Sequence, residues 1–207
     1  ASDGLTVIVG CHRAADKAEA LVAELGGSPH RAETVDVDDA ESLTRLAASV
    51  GAEGGLDVLV NCAGVTQPVP HDDLDGLDDD LFDRIMRTNV RGPFAVIRAL
   101  RSALERAESP VVVNISSVAA VTGQGSNVAY CASKAALDSL TRSLGRALAP
   151  AIRMVSVSPG WVLGEYASKM PTEVIQTQAD LTPMARLATP ADVAAAVSAV
   201  VHDLPFT

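Results

Sequence analysis

Cysteine is scarce in this chain: Cys11, Cys62 and Cys131 are its three among 207 residues. They are too few and too scattered for a disulfide framework or a zinc site, so a reducing, cytoplasmic setting without metal is expected. Basic charge is also short. Sixteen Lys and Arg face 26 Asp and Glu, a net charge of −10. A general nucleic-acid binder needs a basic face, so that class is excluded. Aromatic residues make up 3%, although hydrophobic residues reach 48%. The chain is therefore too apolar for disorder and long enough to bury one full core. No stretch approaches the ~18 apolar residues of a membrane span. The longest apolar segment, residues 193–201, is broken by Ser198 and reads as a buried helix. The first residues, Ala1-Ser2-Asp3-Gly4, include no initiator Met and neither the basic region nor the apolar run of a signal peptide.

Short β-branched runs alternate with longer helical patterns. Residues 5–9 (LTVIV) read as a buried strand. Residues 16–25 read as a helix with Ala18, Leu21, Val22 and Leu25 on one face. Gly26-Gly27 ends it as a left-handed cap would. A second strand is expected at 33–37 (ETVDV), a second helix at 40–50 and a third strand at 56–61 (LDVLVN). After a loop rich in Pro and Asp, residues 80–106 give a long helical pattern, kinked by Pro93 within it. Residues 111–115 (VVVNI) are the fourth strand, 129–148 a strong helix and 153–158 (RMVSVS) the fifth strand. A long segment, 161–188, precedes a last helix with clear start chemistry: Thr189 as N-cap, Pro190 at the first helical position, Asp192 in the first turn. Continuous apolar strands separated by helices imply an α/β fold, a doubly wound parallel sheet covered on both faces. With no repeat, low-complexity tract or linker, residues 1–207 read as a single domain. Such a fold settles no function by itself.

The chemistry sits in short motifs at expected strand ends. Tyr130 and Lys134 are four apart on a helix and so share one face. An ammonium near a phenol favours the phenolate, which suits a general acid/base handling a hydroxyl or carbonyl proton. Taken alone, this spacing is weak, common in helices, and reads more readily as a surface pair. Asn114-Ile115-Ser116-Ser117 follows the fourth strand, where α/β sheets place active-site groups, and Ser117 lies thirteen residues before Tyr130. The plainer reading is a Ser pair capping a strand end. Asn61-Cys62-Ala63-Gly64 follows the third strand and lets backbone approach a ligand closely. Asn89 sits inside the long helix, where Asn is unfavourable and marks a local distortion. Ser158-Pro159-Gly160 turns the chain after the fifth strand.

In their order and spacing these pieces closely resemble the short-chain dehydrogenase/reductase family, over essentially all 207 residues. The stretch TPMARLATPADV at 182–193 is most similar to 3-oxoacyl-carrier-protein reductase-like members. The resemblance implies a Rossmann-type, three-layer α/β/α fold and hydride transfer between a nicotinamide and a carbonyl or alcohol. It implies that Tyr130 donates or accepts the proton and that Ser117 holds the substrate oxygen. Lys134 lowers the Tyr pKa and binds the nicotinamide ribose. Asn89 fixes a water that relays protons from Lys134. Asp36 and Val37 flank the adenine; Asn61, Ala63 and Gly64 line the cofactor cleft; Pro159, Gly160 and Val162 pack by the nicotinamide. It also implies a homodimer or homotetramer built on the helices at 80–106 and 129–148. Segment 161–183, with Met170, Ile175 and Leu181, is expected to form a lid over a partly apolar pocket.

The residues after the first strand bear on cofactor choice. An acid there would accept the 2′-hydroxyl of NAD, whereas an Arg accommodates the 2′-phosphate of NADP. The sequence there is Gly10-Cys11-His12-Arg13, without an acid. NADP(H) is therefore expected, with Arg13 as the principal contact and His12 as a second.

The family opens with a strand, a Gly-rich turn and a helix that cradle the pyrophosphate, and none of these precedes Leu5. Residues 1–4 look like the tail of that helix, and a last segment and strand would follow residue 207. The family's first strand sits between two others, so its absence predicts a slot with two rows of unpaired backbone groups. Three readings follow. The segment belongs to the molecule outside these residues, or it is deleted and the slot is filled otherwise. In the third, the chain is a non-catalytic dinucleotide-binding or scaffold paralogue. Two smaller departures are Gly164, where many members carry a Thr, and Cys62, in place of a second Asn. Cys131 faces away from Lys134 by helical geometry and reads as packing.

Overall fold

The apolar runs become five short strands in the computed structural model, which describes residues 4–26, 29–164 and 167–204. They are β1 (Ile8–Cys11), β2 (Arg31–Thr34), β3 (Val58–Asn61), β4 (Val111–Ile115) and β5 (Arg153–Val157). The helices are α1 (Ala15–Glu24), α2 (Ala40–Ala52), α3 (Asp79–Met86), α4 (Gly92–Leu104), α5 (Ala119–Thr122), α6 (Val128–Leu148), α7 (Thr172–Leu181) and α8 (Pro190–His202). All strand pairs are parallel. Successive side chains of β4 enter opposite layers, as the period of two demands. Val112 packs with Ile97 and Leu104 of α4 and Leu140 and Leu144 of α6, while Val111 and Val113 pack with Val197 and Val200 of α8. The result is the Rossmann-type α/β/α sandwich, open in one respect.

The strands do not join into one sheet. β1 pairs with β2, and β3–β4–β5 form a second, three-stranded sheet. The doubly wound parallel arrangement is present with its sheet in two pieces, and no strand bridges them among the described residues. Side chains make the join. Ile8, Val35, Val37, Leu56 and Leu59 pack against one cluster formed by Leu43, Leu46 and Val50 of α2 and Ala95, Val96 and Leu100 of α4.

Several boundaries also differ from expectation. β1 takes in Gly10 and Cys11, which pair with Glu33 and Thr34. β2 stops at Thr34 because side chains capture the backbone beyond it. Ser42 Oγ accepts from Asp36 N at 2.9 Å, and Asp36 Oδ1 accepts from Asp38 N at 2.9 Å. The long helix is interrupted by a five-residue π-turn, Arg87–Arg91. The disturbance expected at Pro93 therefore falls in the turn before it. Proline has no N–H for the Asn89 carbonyl four residues back, and its ring crowds that carbonyl. Gly92 N–H donates instead to Arg87 O, five residues back.

Segment 161–188 contains α7, none of whose residues is buried. The start of α8 is as expected, with a full capping box. Thr189 Oγ1 accepts from Asp192 N at 3.2 Å, and Asp192 Oδ2 accepts from Thr189 N at 2.8 Å. Gly26 takes the left-handed conformation, φ 57°. Gly27, residues 1–3 of the expected helix tail and residues 205–207 lie outside the described residues. No described helix is long and apolar enough to cross a membrane.

Candidate active site

The site grows from the carboxyl ends of β3, β4 and β5. Asn61, Asn114 and Ser156 stand in one row across these strands. Asn61 Nδ2 donates to Asn114 Oδ1 at 2.8 Å, and Asn114 Nδ2 donates to Thr141 Oγ1 of α6 at 2.8 Å. Ser156 Oγ reaches the same hydroxyl at 3.2 Å, which in turn donates to Leu137 O at 2.8 Å. Buried polar groups must be paired, and this row pairs them while locking α6 to the sheet end.

α6 carries the proton-handling residues, and its first turn is set by Asn127. The Asn127 carboxamide oxygen caps the helix by accepting from Tyr130 N at 2.7 Å, and its Nδ2 donates to Gln67 O at 2.7 Å. Tyr130 and Lys134 then stand one turn apart, with the Lys134 ammonium 5.7 Å from the centre of the Tyr130 ring. Lys134 is buried, and its Nζ donates to Ile115 O, the last carbonyl of β4, at 2.8 Å. Burial pulls its pKa below the ordinary lysine value, while the charges of Cys62 and Asp138 oppose that shift.

The fully buried Ser133, between them, donates to Tyr130 O at 2.8 Å and accepts from Asn89 Nδ2 at 3.1 Å. Asn89 thus leaves the π-turn pointing inward. Its Oδ1 accepts from Val65 N at 2.8 Å and its Nδ2 donates to Val65 O at 3.0 Å. Gly64 closes the group. A Cβ there would lie 3.4 Å from Asn89 Oδ1 and 3.9 Å from Lys134 Nζ, so bare backbone passes against both.

Ser117, half-buried, lies two residues beyond β4. Its Oγ accepts from Ala119 N at 3.2 Å, which leaves its own proton to donate. Val118 N donates to Pro159 O at 3.1 Å, tying this loop to the turn at Pro159 and Gly160. Val162 makes an isolated parallel bridge with Ala188. A Cβ at Gly164 would meet nothing within 4 Å, so this position has room for a side chain. Exposed Ala63 and Cys62 complete the loop after β3.

The remaining expected residues form a second group at the ends of β1 and β2. His12 Nε2 lies 3.3 Å from Asp36 Oδ2. Arg13 is exposed and makes no hydrogen bond or ion pair among the described residues. Val37 lies against the start of α4, where a Cβ on Gly92 would come within 2.9 Å of Val37 Cγ2. The sequence-predicted residues therefore fall into two groups, one on each sheet.

Three supporting residues escaped the sequence reading. Asn127 had a visible signal, an Asn just before a helical pattern, and so did Ser133, which stands three residues after Tyr130. Asp38 had none, because its partners lie in the π-turn, 50 residues away. Cys131 is buried, with its thiol pKa raised by that burial, which agrees with a packing role. All three cysteines are free.

A family model described as enoyl-(acyl carrier protein) reductase matches residues 1–205. A galactitol 2-dehydrogenase (L-tagatose-forming) from Cereibacter sphaeroides is 35% identical over 84% of this chain and 69% of its own length. A 3-oxoacyl-(acyl-carrier-protein) reductase from Staphylococcus aureus is 30% identical over 98% of this chain and 83% of its own. Among solved structures, a short-chain dehydrogenase/reductase (glucose/ribitol dehydrogenase) from Brucella melitensis superposes with a TM-score of 0.88 at 27% identity. That match covers 97% of this chain and 80% of the other.

Proposed function

The chain belongs to the short-chain dehydrogenase/reductase family, and on that premise we propose that it transfers hydride between NADP(H) and a carbonyl or alcohol, with Tyr130 as general acid/base. The family works with nicotinamide cofactors, and the cleft fits one. Gly64 leaves bare backbone beside Asn89 and Lys134, a gap that a side chain would narrow. Lys134 uses one N–H on Ile115 O, which leaves two donors for a ribose. Asn61, Ala63, Gly64, Pro159, Gly160 and Val162 would line the nicotinamide side, and Asp36 and Val37 the adenine side. Hydride is what the nicotinamide supplies when bound.

In the direction of reduction, Ser117 donates a hydrogen bond to the substrate oxygen and Tyr130 gives that oxygen its proton. The Lys134 ammonium stabilises the phenolate left behind. Asn89 Oδ1 keeps one acceptor site after bonding Val65, enough to hold a water that refills the relay from solvent. One observation carries this reading: Asn89 bonds Ser133, Ser133 bonds the Tyr130 main-chain carbonyl, and the Lys134 ammonium stands 5.7 Å from the Tyr130 ring. Leu163, Leu181 and Met184 are exposed around the lid segment, which supports a partly apolar substrate. Phe82, Phe94 and Val128, each about 40% exposed on α3, α4 and α6, support association into a dimer or tetramer.

The test is NADPH oxidation with a panel of ketones and 3-oxoacyl thioesters. Turnover supports the proposal. No turnover, with no change in NADPH fluorescence on mixing, favours a non-catalytic role, which none of the named relatives suggests. Arg13→Ala tests the cofactor choice. Losing a charge-assisted phosphate contact should weaken NADPH binding about 10- to 100-fold and leave NADH nearly unchanged. Equal losses refute it.

A further inference from the structure

Resting on that reading, we infer that Asp38 is a positioning residue, which holds the π-turn carrying Asn89 and so couples the two halves of the site. Three of the five residues in the π-turn are turned toward Asp38. Thr88 Oγ1 donates to Asp38 Oδ2 at 2.7 Å. Arg91 Nη2 donates to Asp38 O at 3.0 Å and to Oδ1 at 3.2 Å. Arg87 Nε lies 3.7 Å from Oδ2. Asn89 points the other way, into the cleft, toward Val65 and Ser133.

A π-turn is an irregular bulge inside an α-helix, and its own backbone does not by itself fix where Asn89 sits. Grip from both sides does. Asp38 can supply the outer grip because its own loop is fixed. Its N–H donates to Asp36 Oδ1 at 2.9 Å. The next residue, Asp39, caps α2 by accepting from Glu41 N and Ser42 N, each at 3.1 Å. The second oxygen of Asp36 lies 3.3 Å from His12. A polar line therefore runs His12, Asp36, Asp38, Thr88 and on to Asn89. What binds at Asp36 and Val37 is felt at Asn89 through this line.

The test uses Asp38→Ala, Asp38→Asn, Asn89→Ala and the double variant Asp38→Ala/Asn89→Ala, with Thr88→Val as a milder cut. Asp38→Ala should lower kcat about tenfold or more, with KM for the carbonyl substrate within about twofold. Asp38→Asn, which keeps an acceptor for Thr88, should recover part of that loss. The double variant should be no slower than Asn89→Ala alone, because both act through one group. Amide exchange across residues 87–91 should quicken in Asp38→Ala while β4 stays protected. If Asp38→Ala fails to fold, Thr88→Val carries the same kinetic and exchange measurements. Multiplicative losses in the double variant, or unchanged exchange in the π-turn, overturn the inference. Exchange needs no substrate, so an absence of turnover in the wild type would count against the proposed function and leave the role of Asp38 to be decided by exchange.

Discussion

Replacing Asn114 by Leu should cost this protein about 2–3 kcal/mol, and the reason lies in who is left unpaired. Asn114 is fully buried and joins Asn61 to Thr141 through two bonds of 2.8 Å. In the variant, Thr141 loses little, since it still donates to Leu137 O and accepts from Ser156 at 3.2 Å. Asn61 is different. Its Nδ2 loses its acceptor at a position only 8% exposed, at a cost of about 1–3 kcal/mol. Leu nearly matches Asn in length, so overpacking adds a modest further penalty. At roughly 2–4 °C per kcal/mol for a chain of this size, the melting point should fall by about 4–12 °C. Asn61→Leu should cost a similar amount, by orphaning Asn114 Oδ1. The double variant has neither orphan and should cost clearly less than the two singles added, by about 2 kcal/mol or more. The assay is urea unfolding followed by the fluorescence of Trp161, the one Trp in the chain, with the urea slope checked for constancy. Costs that add to within about 0.5 kcal/mol would refute the idea that the row acts as a unit.

Tyr130→Phe should lower kcat by about 10²- to 10⁴-fold with NADPH affinity retained, read by stopped-flow turnover and fluorescence titration. Loss of affinity instead of rate would contradict a proton-transfer role. Asp138→Asn removes a charge that raises the Lys134 pKa, so that already lowered pKa should fall further. The alkaline limb of the kcat/KM profile should then move to lower pH by up to about one unit; an upward shift would contradict the assigned sign. Thr189→Ala breaks the capping box and should cost about 0.5–2 kcal/mol, with faster amide exchange in the first turn of α8.

Legibility in the sequence followed how local the cause was. VVVNI at 111–115 became β4 residue for residue, because a strand buried on both faces needs nothing beyond its own run. The α8 start was legible for the same reason: Thr189 and Asp192 satisfy each other. The end of β2 was not legible, since Ser42 and Asp36 side chains decide it from outside the apolar pattern. Pro93 signalled a disturbance, but its effect falls upstream, on the turn that carries Asn89. The sequence pattern left α7, which buries no residue, inside an unassigned segment. In the site, Tyr130, Lys134, Ser117 and Asn89 were readable as motifs, whereas their holders were harder to see. The Val65 backbone and Asp38 matter through partners that the fold brings from 24 and 50 residues away.

The thin packing of α1 bears on how the molecule opens. The β1–α1–β2 unit has little of its own to hold it, since α1 buries only Ala18. Its tie to the rest runs through side chains on α2 and α4. Such a unit should open below the global threshold, as a foldon of low stability. A dinucleotide touching both His12–Arg13 and Lys134 would then act as a clasp as well as a reactant. At a concentration a hundredfold above its Kd it would raise the opening free energy of that unit by about 2.7 kcal/mol. Proteolysis within residues 4–34 should therefore track cofactor occupancy, while cuts near β4 should not.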